Sequence, residues 1–428
     1  MPLVYEHWWE NNKNRGIVAT LLSIPVLALY LLNSPMDIVH SMMEYFSFIV
    51  LLWSLYTISG GIVLRGNFTG KPLSNTAFLA IGAIIANIFG TTGAAMLLIR
   101  PLLRSIEHRE HKKHVIIFFI FLVANIGGCL TPLGDPPLFL GYLRGVPFEW
   151  TLKLFPVWFP TVIFLLGVFY VWDSIAWKKE KDLPQTEEDE SFGIDGNLNF
   201  LFIAGVLLAT IFSPSLNRIN DAIGQDFTSL GLSGGGPWRE IIMIAMGLLS
   251  LKFTRKALRK ENRFNWDAIA EVAILFAGIF ITMIPALALL KSHGDEMGLT
   301  QAWQYMWTTG ILSSFLDNAP TYLVFSTAAD AYAVSQGMAG GESLATLAAS
   351  PDYMILLKAV SIGAVFMGAN TYIGNAPNFM VKVIADTAGN RRVKMPSFFG
   401  YLGWSCLILI PTFIVVTYLA FFVFGSYI

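Results

Sequence analysis

The chain has 428 residues, of which 55% are hydrophobic and 13% charged, and its formal net charge is −1. Soluble domains run nearer one quarter charged, so this composition excludes an ordinary water-soluble enzyme, and its charge balance carries no signature of a nucleic-acid partner. Two cysteines, Cys129 and Cys406, both in apolar surroundings, exclude a disulfide framework and a cysteine metal site.

About 20 apolar residues span the hydrocarbon core of a bilayer. Residues 1–15 are polar and lack a signal-peptide pattern. Simple crossings are predicted at 16–33 and 45–64, followed by a stretch at 75–103 with IFGTTG in its middle, which suits a re-entrant helical hairpin. The stretch 114–145 is interrupted by GGCLTPLGDPP, which predicts two half-helices joined by unwound backbone. A crossing at 152–177 precedes the hydrophilic segment 178–196, read as a cytoplasmic acidic linker whose charge serves solvation. Crossings follow at 197–213, 238–253 and 268–290. A second hairpin, 301–330, carries FLDNAP; a second broken crossing, 354–387, carries GANTYIGNAPN; a last crossing covers 399–427. Unwound backbone persists at membrane depth only where it is buried in protein or lines a polar cavity.

Short cytoplasmic loops are enriched in Lys and Arg. With the N-terminus inside and each hairpin returning to its own side, most of the 28 basic residues fall on the inner face. The outer loops hold Arg144, Arg218, Arg239 and Lys291. This arrangement places the C-terminus outside and describes a multi-pass protein of the cytoplasmic (inner) membrane. His108, His111 and His114 read as part of a charged cytoplasmic loop, Glu271 as an interfacial residue and Cys129 as a small packing residue.

TPLGDPPLF at 131–139 is echoed by TYIGNAPNF at 371–379, where Thr131, Gly134, Pro137 and Phe139 recur as Thr371, Gly374, Pro377 and Phe379. Each copy follows a hairpin, and an odd number of crossings separates the copies, so the second is expected upside down. The expected architecture is an all-α integral membrane protein of two inverted repeats, 1–177 and 197–428, joined by the linker. Such repeats bring two broken helices and two hairpin tips together near the midplane.

An ionisable side chain at membrane depth costs at least about 2.5 kcal/mol, which makes it a functional candidate by default. Asp135 lies in the first unwound stretch and Asp317 at the second hairpin tip. The repeat gathers Thr91, Thr92, Thr131, Asn318, Asn370, Thr371, Asn375 and Asn378 around them. Gly134, Pro136, Pro137, Gly374 and Pro377 open backbone carbonyls nearby. Oxygen donors suit hard cations such as sodium. Desolvation favours a protonated carboxyl and a bound cation favours an ionised one, so proton and sodium compete for the same group.

GDPPL (134–138), GNAPNF (374–379), GTTG (90–93), LDNAP (316–320) and NWDAIAEVAILFAGIF (265–280) resemble the ion transporter superfamily. The branch resembled contains NhaD-type sodium/proton antiporters, ArsB-type arsenite pumps and citrate transporters. The resemblance covers roughly 16–427 and implies ion-binding roles for Asp135 and for Asp317 with Asn318. It also implies a homodimer. This chain departs from the antiporter pattern at Pro136-Pro137-Leu138, where Thr-Thr is usual, and at Gly90-Thr91, where an Asp-Asn pair is usual.

The leading function is sodium/proton antiport by alternating access, with lipid, sodium ions and protons as partners and no cofactor. No Arg or Lys lies in either motif to hold an anion. Sodium-coupled citrate or dicarboxylate transport is the alternative, because helix N-termini pointing at the centre and bound sodium both favour an anionic substrate. An intramembrane aspartyl protease is the remote enzyme alternative. It fails on motif order, since Pro285-Ala286-Leu287 precedes Asp317 and PLGD lacks the first glycine.

Overall fold

The computed structural model describes residues 8, 11–66, 70–180, 193–223, 227, 232, 236–339 and 343–423. Residues 181–192 of the expected linker and 340–342 of the outer loop lie outside the described residues.

Helices α1 (Asn12–Asn33) and α2 (Pro35–Ser59) meet at Ser34. The crossing expected to begin at 45 therefore starts at Pro35, whose fixed φ is preorganised for the first helical turn. Helix α3 (Pro72–Ser105) is broken at Gly90, where φ is 73° and ψ 156°. A Cβ on Gly82 would stand 3.1 Å from the Leu98 side chain. In a straight helix those positions are about 24 Å apart, so the two arms of α3 fold back on each other as a hairpin. α4 (Lys113–Leu122) leads through a 3₁₀ turn, Ile126–Leu130, to α5 (Pro136–Leu143), and α6 (Phe155–Trp177) closes the first half. Every residue of α4 from His114 onward is buried, as expected of a helix that is apolar all round.

The short strands β1 (Val63–Arg65) and β2 (Gly193–Asp195) pair antiparallel, and Arg65 bonds Asp195 at 2.5 Å and Glu261 at 3.0 Å. α7 (Leu198–Ile211) and α8 (Ser213–Ile223) form a pair bent by 68°. α9 (Trp238–Phe253), α10 (Asp267–His293), α11 (Ala302–Phe315) and α12 (Asn318–Ser335) follow. α13 (Met354–Met367), a 3₁₀ turn Gly368–Asn370, α14 (Ala376–Asp386) and α15 (Phe398–Thr417), continued by a π-helical segment Tyr418–Val423, complete the described chain.

Seven helical spans among the described residues are long and apolar enough to cross a membrane, or eight if the α7–α8 pair counts as one. α9, with 16 residues, is about 24 Å long and shorter than the hydrocarbon core.

His114 corrects the expectation of a solvated loop histidine. It is 4% exposed at the start of α4 and its Nε2 lies 2.7 Å from Asp173 Oδ1, which Arg109 also meets at 2.5 Å. Asn75 donates to the other Asp173 oxygen at 2.9 Å. A carboxylate at the end of α6 recruits these groups because it is buried and must be satisfied.

The two unwound segments repeat one local device. A Cβ on Gly134 would meet the Gly128 carbonyl oxygen at 2.1 Å, and one on Gly374 would meet the Gly368 oxygen at 2.5 Å. Only glycine lets these strands of backbone approach so closely. Gly134→Ala is therefore expected to destabilise the protein by roughly 1–3 kcal/mol, the usual range for overpacking. Gly403→Ala, whose Cβ meets nothing within 4 Å, should leave stability unchanged or slightly raised. Thermal melts of both variants in detergent provide the check, and equal melting temperatures would remove the argument.

Candidate functional site

Asp135 and Asn375 occupy corresponding places, as N-cap residues of α5 and α14 in extended conformation (φ −144°, ψ 143° and φ −155°, ψ 139°). An N-cap side chain ordinarily accepts from the amide two or three residues on. Here that second residue is Pro137 or Pro377, which has no N–H. The third amides, of Leu138 and Asn378, bond the N-cap carbonyls at 3.1 Å in each case. Neither side chain caps its own helix, and both are left to reach across the protein.

They reach each other. Asn375 Nδ2 donates to Asp135 Oδ1 at 3.0 Å, Thr91 Oγ1 donates to the same oxygen at 2.8 Å, and Asn318 Nδ2 donates to Asp135 Oδ2 at 2.6 Å. Asp135 is 1% exposed, and all three of these partners are neutral. Thr91 follows the break of the first hairpin, and Asn318 opens the return helix of the second. The carboxylate thus sits where four helical segments begin, at 91, 136, 318 and 376. Their N-terminal amides and dipoles favour negative charge at that point.

The other predicted residues divide between this cluster and its supports. Thr131 Oγ1 donates to the Asn87 carbonyl at 2.5 Å, and Thr371 Oγ1 donates to the Ser314 carbonyl, so each threonine pins its unwound segment to a hairpin. Asn370 Nδ2 donates to Ser314 Oγ at 2.9 Å. Asn378 donates to the Gly368 and Thr371 carbonyls at 2.9 and 2.8 Å. Thr92 lines the cavity beside Asp135 together with Gly134 and Pro136. Asp317 is half-buried and accepts from the Ala319 amide at 3.0 Å, capping its own helix. It lies within electrostatic reach of Asp135 without bonding it.

Asn125 escaped the sequence reading. Its Nδ2 donates to Asn378 Oδ1 at 2.6 Å and its Oδ1 accepts from Asn375 at 3.2 Å, joining the two unwound segments directly. Asn87 and Ser314 were missed as well. A polar side chain inside an apolar run was the available signal, and Asn125 in LVANIGG carries it.

The cavity at the cluster has a volume of about 20 Å³ and is lined by residues 89–93 and 132–136 together with Phe48, Leu52, Leu55 and Tyr56 of α2. That is room for about one water molecule or one small ion. Among the described residues no group of three or more His, Cys, Asp or Glu side chains is placed to hold a metal ion.

No curated protein matches the sequence. A family described as "Putative citrate transport" matches residues 1–421, which takes in both hairpins and both unwound segments. The chain belongs to that family, within the ion transporter superfamily, and is a multi-pass secondary transporter rather than an enzyme.

Proposed function

We propose that this transporter exchanges sodium ions for protons at Asp135, with the hairpins and unwound segments of two inverted repeats alternating access between the two sides of the cytoplasmic membrane. The observation that carries the reading is the setting of Asp135, a carboxylate at the meeting of both hairpins and both unwound helices, bonded to neutral groups. When ionised it can hold a cation; when protonated it needs none. Among the described residues Asn318 Oδ1 is buried without a hydrogen bond, so a turn of that amide would offer an oxygen ligand in place of its N–H. Asn375 and Thr91 can make the same change from donor to ligand. Asp317 adds negative potential from the hairpin tip.

A second reading, sodium-coupled uptake of citrate or a related carboxylate, is favoured by the family description and by the four helix N-termini at the site. Against it stand the charge of Asp135, which repels an anion, and a cavity of about 20 Å³.

In reconstituted vesicles, raising pH should lower the half-saturating sodium concentration, because fewer protons compete for the carboxylate. Citrate or succinate should leave that curve unmoved. In the second reading the organic acid and sodium must tighten each other by one common factor. A sodium dependence seen only with the organic acid present would replace the first reading by the second.

Asp135→Asn is expected to lower exchange at least about 100-fold with the protein still in the membrane, since an amide neither takes nor releases a proton at working pH. Asp317→Asn keeps a capping oxygen and should shift the sodium dependence while retaining exchange. Equal transport by Asp135→Asn and the parent would refute the role given to that carboxylate.

The orientation, N-terminus inside and C-terminus outside, rests on the basic loops. Single cysteines at 106–112 or 255–263 should resist a membrane-impermeant thiol reagent in intact cells, whereas cysteines in 343–350 should react. The opposite labelling would reverse the topology.

A further inference from the structure

Behind the wall of the central cavity lies another buried carboxylate, Glu240. Phe48 of α2 and Phe139 of α5 line the cavity that contains Asp135. Next to Phe48, Ser47 Oγ donates to Glu240 Oε1 at 2.7 Å, and one turn along α5 from Asp135, Phe139 carries the Arg239 guanidinium over its ring at 5.9 Å. Arg239 also lies over Tyr142 at 5.6 Å and bonds Glu240 Oε1 through Nε at 2.9 Å. Both charged residues are 1% exposed.

The pair is poorly explained as a structural fastening. Replacing a buried ion pair by apolar side chains is often neutral or stabilising, so such a pair is weak evidence for stability. Glu240 stands in the first turn of α9, but its Oε1 accepts from the Ser47 and Arg239 side chains. Among the described residues its contacts, Ser47 and Arg239, meet on Oε1, while Oε2 is buried with no hydrogen-bond partner. A carboxylate oxygen left in that state is costly, and it is also an open ligand position for a hard cation.

We propose that Glu240, with Ser47 Oγ, is a second binding station for a monovalent cation on the route to Asp135. Arg239 acts there as a resident substitute charge that the cation displaces. The Phe139 and Tyr142 rings offer the guanidinium a resting place once displaced, since aromatic faces attract cations. Phe48 and Phe139 separate the two stations. The proposal builds on the cation reading of this transporter and adds to it a site that Asp135 does not touch.

The test is thermal unfolding of the purified full-length protein in detergent, titrated with sodium chloride against N-methylglucamine chloride at constant ionic strength. A ligand that binds only the folded state raises the melting temperature with its concentration. Asp135→Asn should retain a sodium-specific rise, and Asp135→Asn combined with Glu240→Gln should lose it. Arg239→Gln, which removes the competing charge, should lower the sodium concentration for half-maximal effect by about tenfold. A flat response in Asp135→Asn, or the same response with and without Glu240→Gln, would overturn the station. If the Glu240→Gln protein does not fold, the Arg239→Gln titration in the Asp135→Asn background decides: an unchanged or weakened sodium response rejects the proposal. Failure of the Asp135 reading looks different, as Asp135→Asn would then match the parent in both transport and sodium response while Glu240→Gln alone removed the sodium effect.

Discussion

A buried carboxylate withdrawn from water must be surrounded by donors, or by a bound cation or proton, and the fold around Asp135 is the means of doing so. Three neutral side chains from three separate segments donate to its two oxygens. Four helical segments begin beside it. The local chain offers the side chain no donor, because Pro137 has no amide to give and the Leu138 amide bonds the Asp135 carbonyl instead. The same residues that deny Asp135 a local partner therefore oblige the hairpins and the second unwound segment to come to it.

That constraint spreads outward through the backbone. Gly128 against Gly134 and Gly368 against Gly374 let each unwound segment fold back within van der Waals contact of itself. Thr131 and Thr371 then tie each segment to its hairpin. Asn125 closes the gap between the halves through Asn375 and Asn378. Between helices in a bilayer there is little hydrophobic drive, so close packing of small residues and hydrogen bonds across elements must hold such an assembly together. Asn375 Nδ2 is already shared among the Ala124 carbonyl, Asn125 and Asp135, and a network of rotatable amides of this kind is one that a cation or a proton can rearrange, which is the physical content of the exchange proposed here.

Much of the element order was legible in the residues. Long apolar runs located the spans, and Gly, Pro and Asn within otherwise apolar stretches located the two interruptions. The repeat between 131–139 and 371–379 indicated that the interruptions were related. Less legible were the start of α2 at Pro35, which polar residues such as Asp37 and His40 obscured, and the burial of His114, which sits in a run of charge but turns inward to Asp173. Asn125 was passed over because it falls ahead of the Gly-rich interruption rather than inside it.

What the amino-acid sequence determined by itself was the class of solvent, the succession of spans and the presence of ionisable groups where ionisable groups are costly, since hydropathy and helix-breaking chemistry are local properties. Which of those groups share a site was decided by tertiary structure. Asp135 and Asp317 look equivalent in one dimension, each an acidic residue at a break. In three dimensions Asp317 caps its own helix through the Ala319 amide, because residue 319 has an N–H to give, while Asp135 faces prolines and must find its partners 44, 183 and 240 positions away. Glu240 is legible as an acidic residue at a helix start, yet only packing against α2 and α5 places it behind the cavity of Asp135.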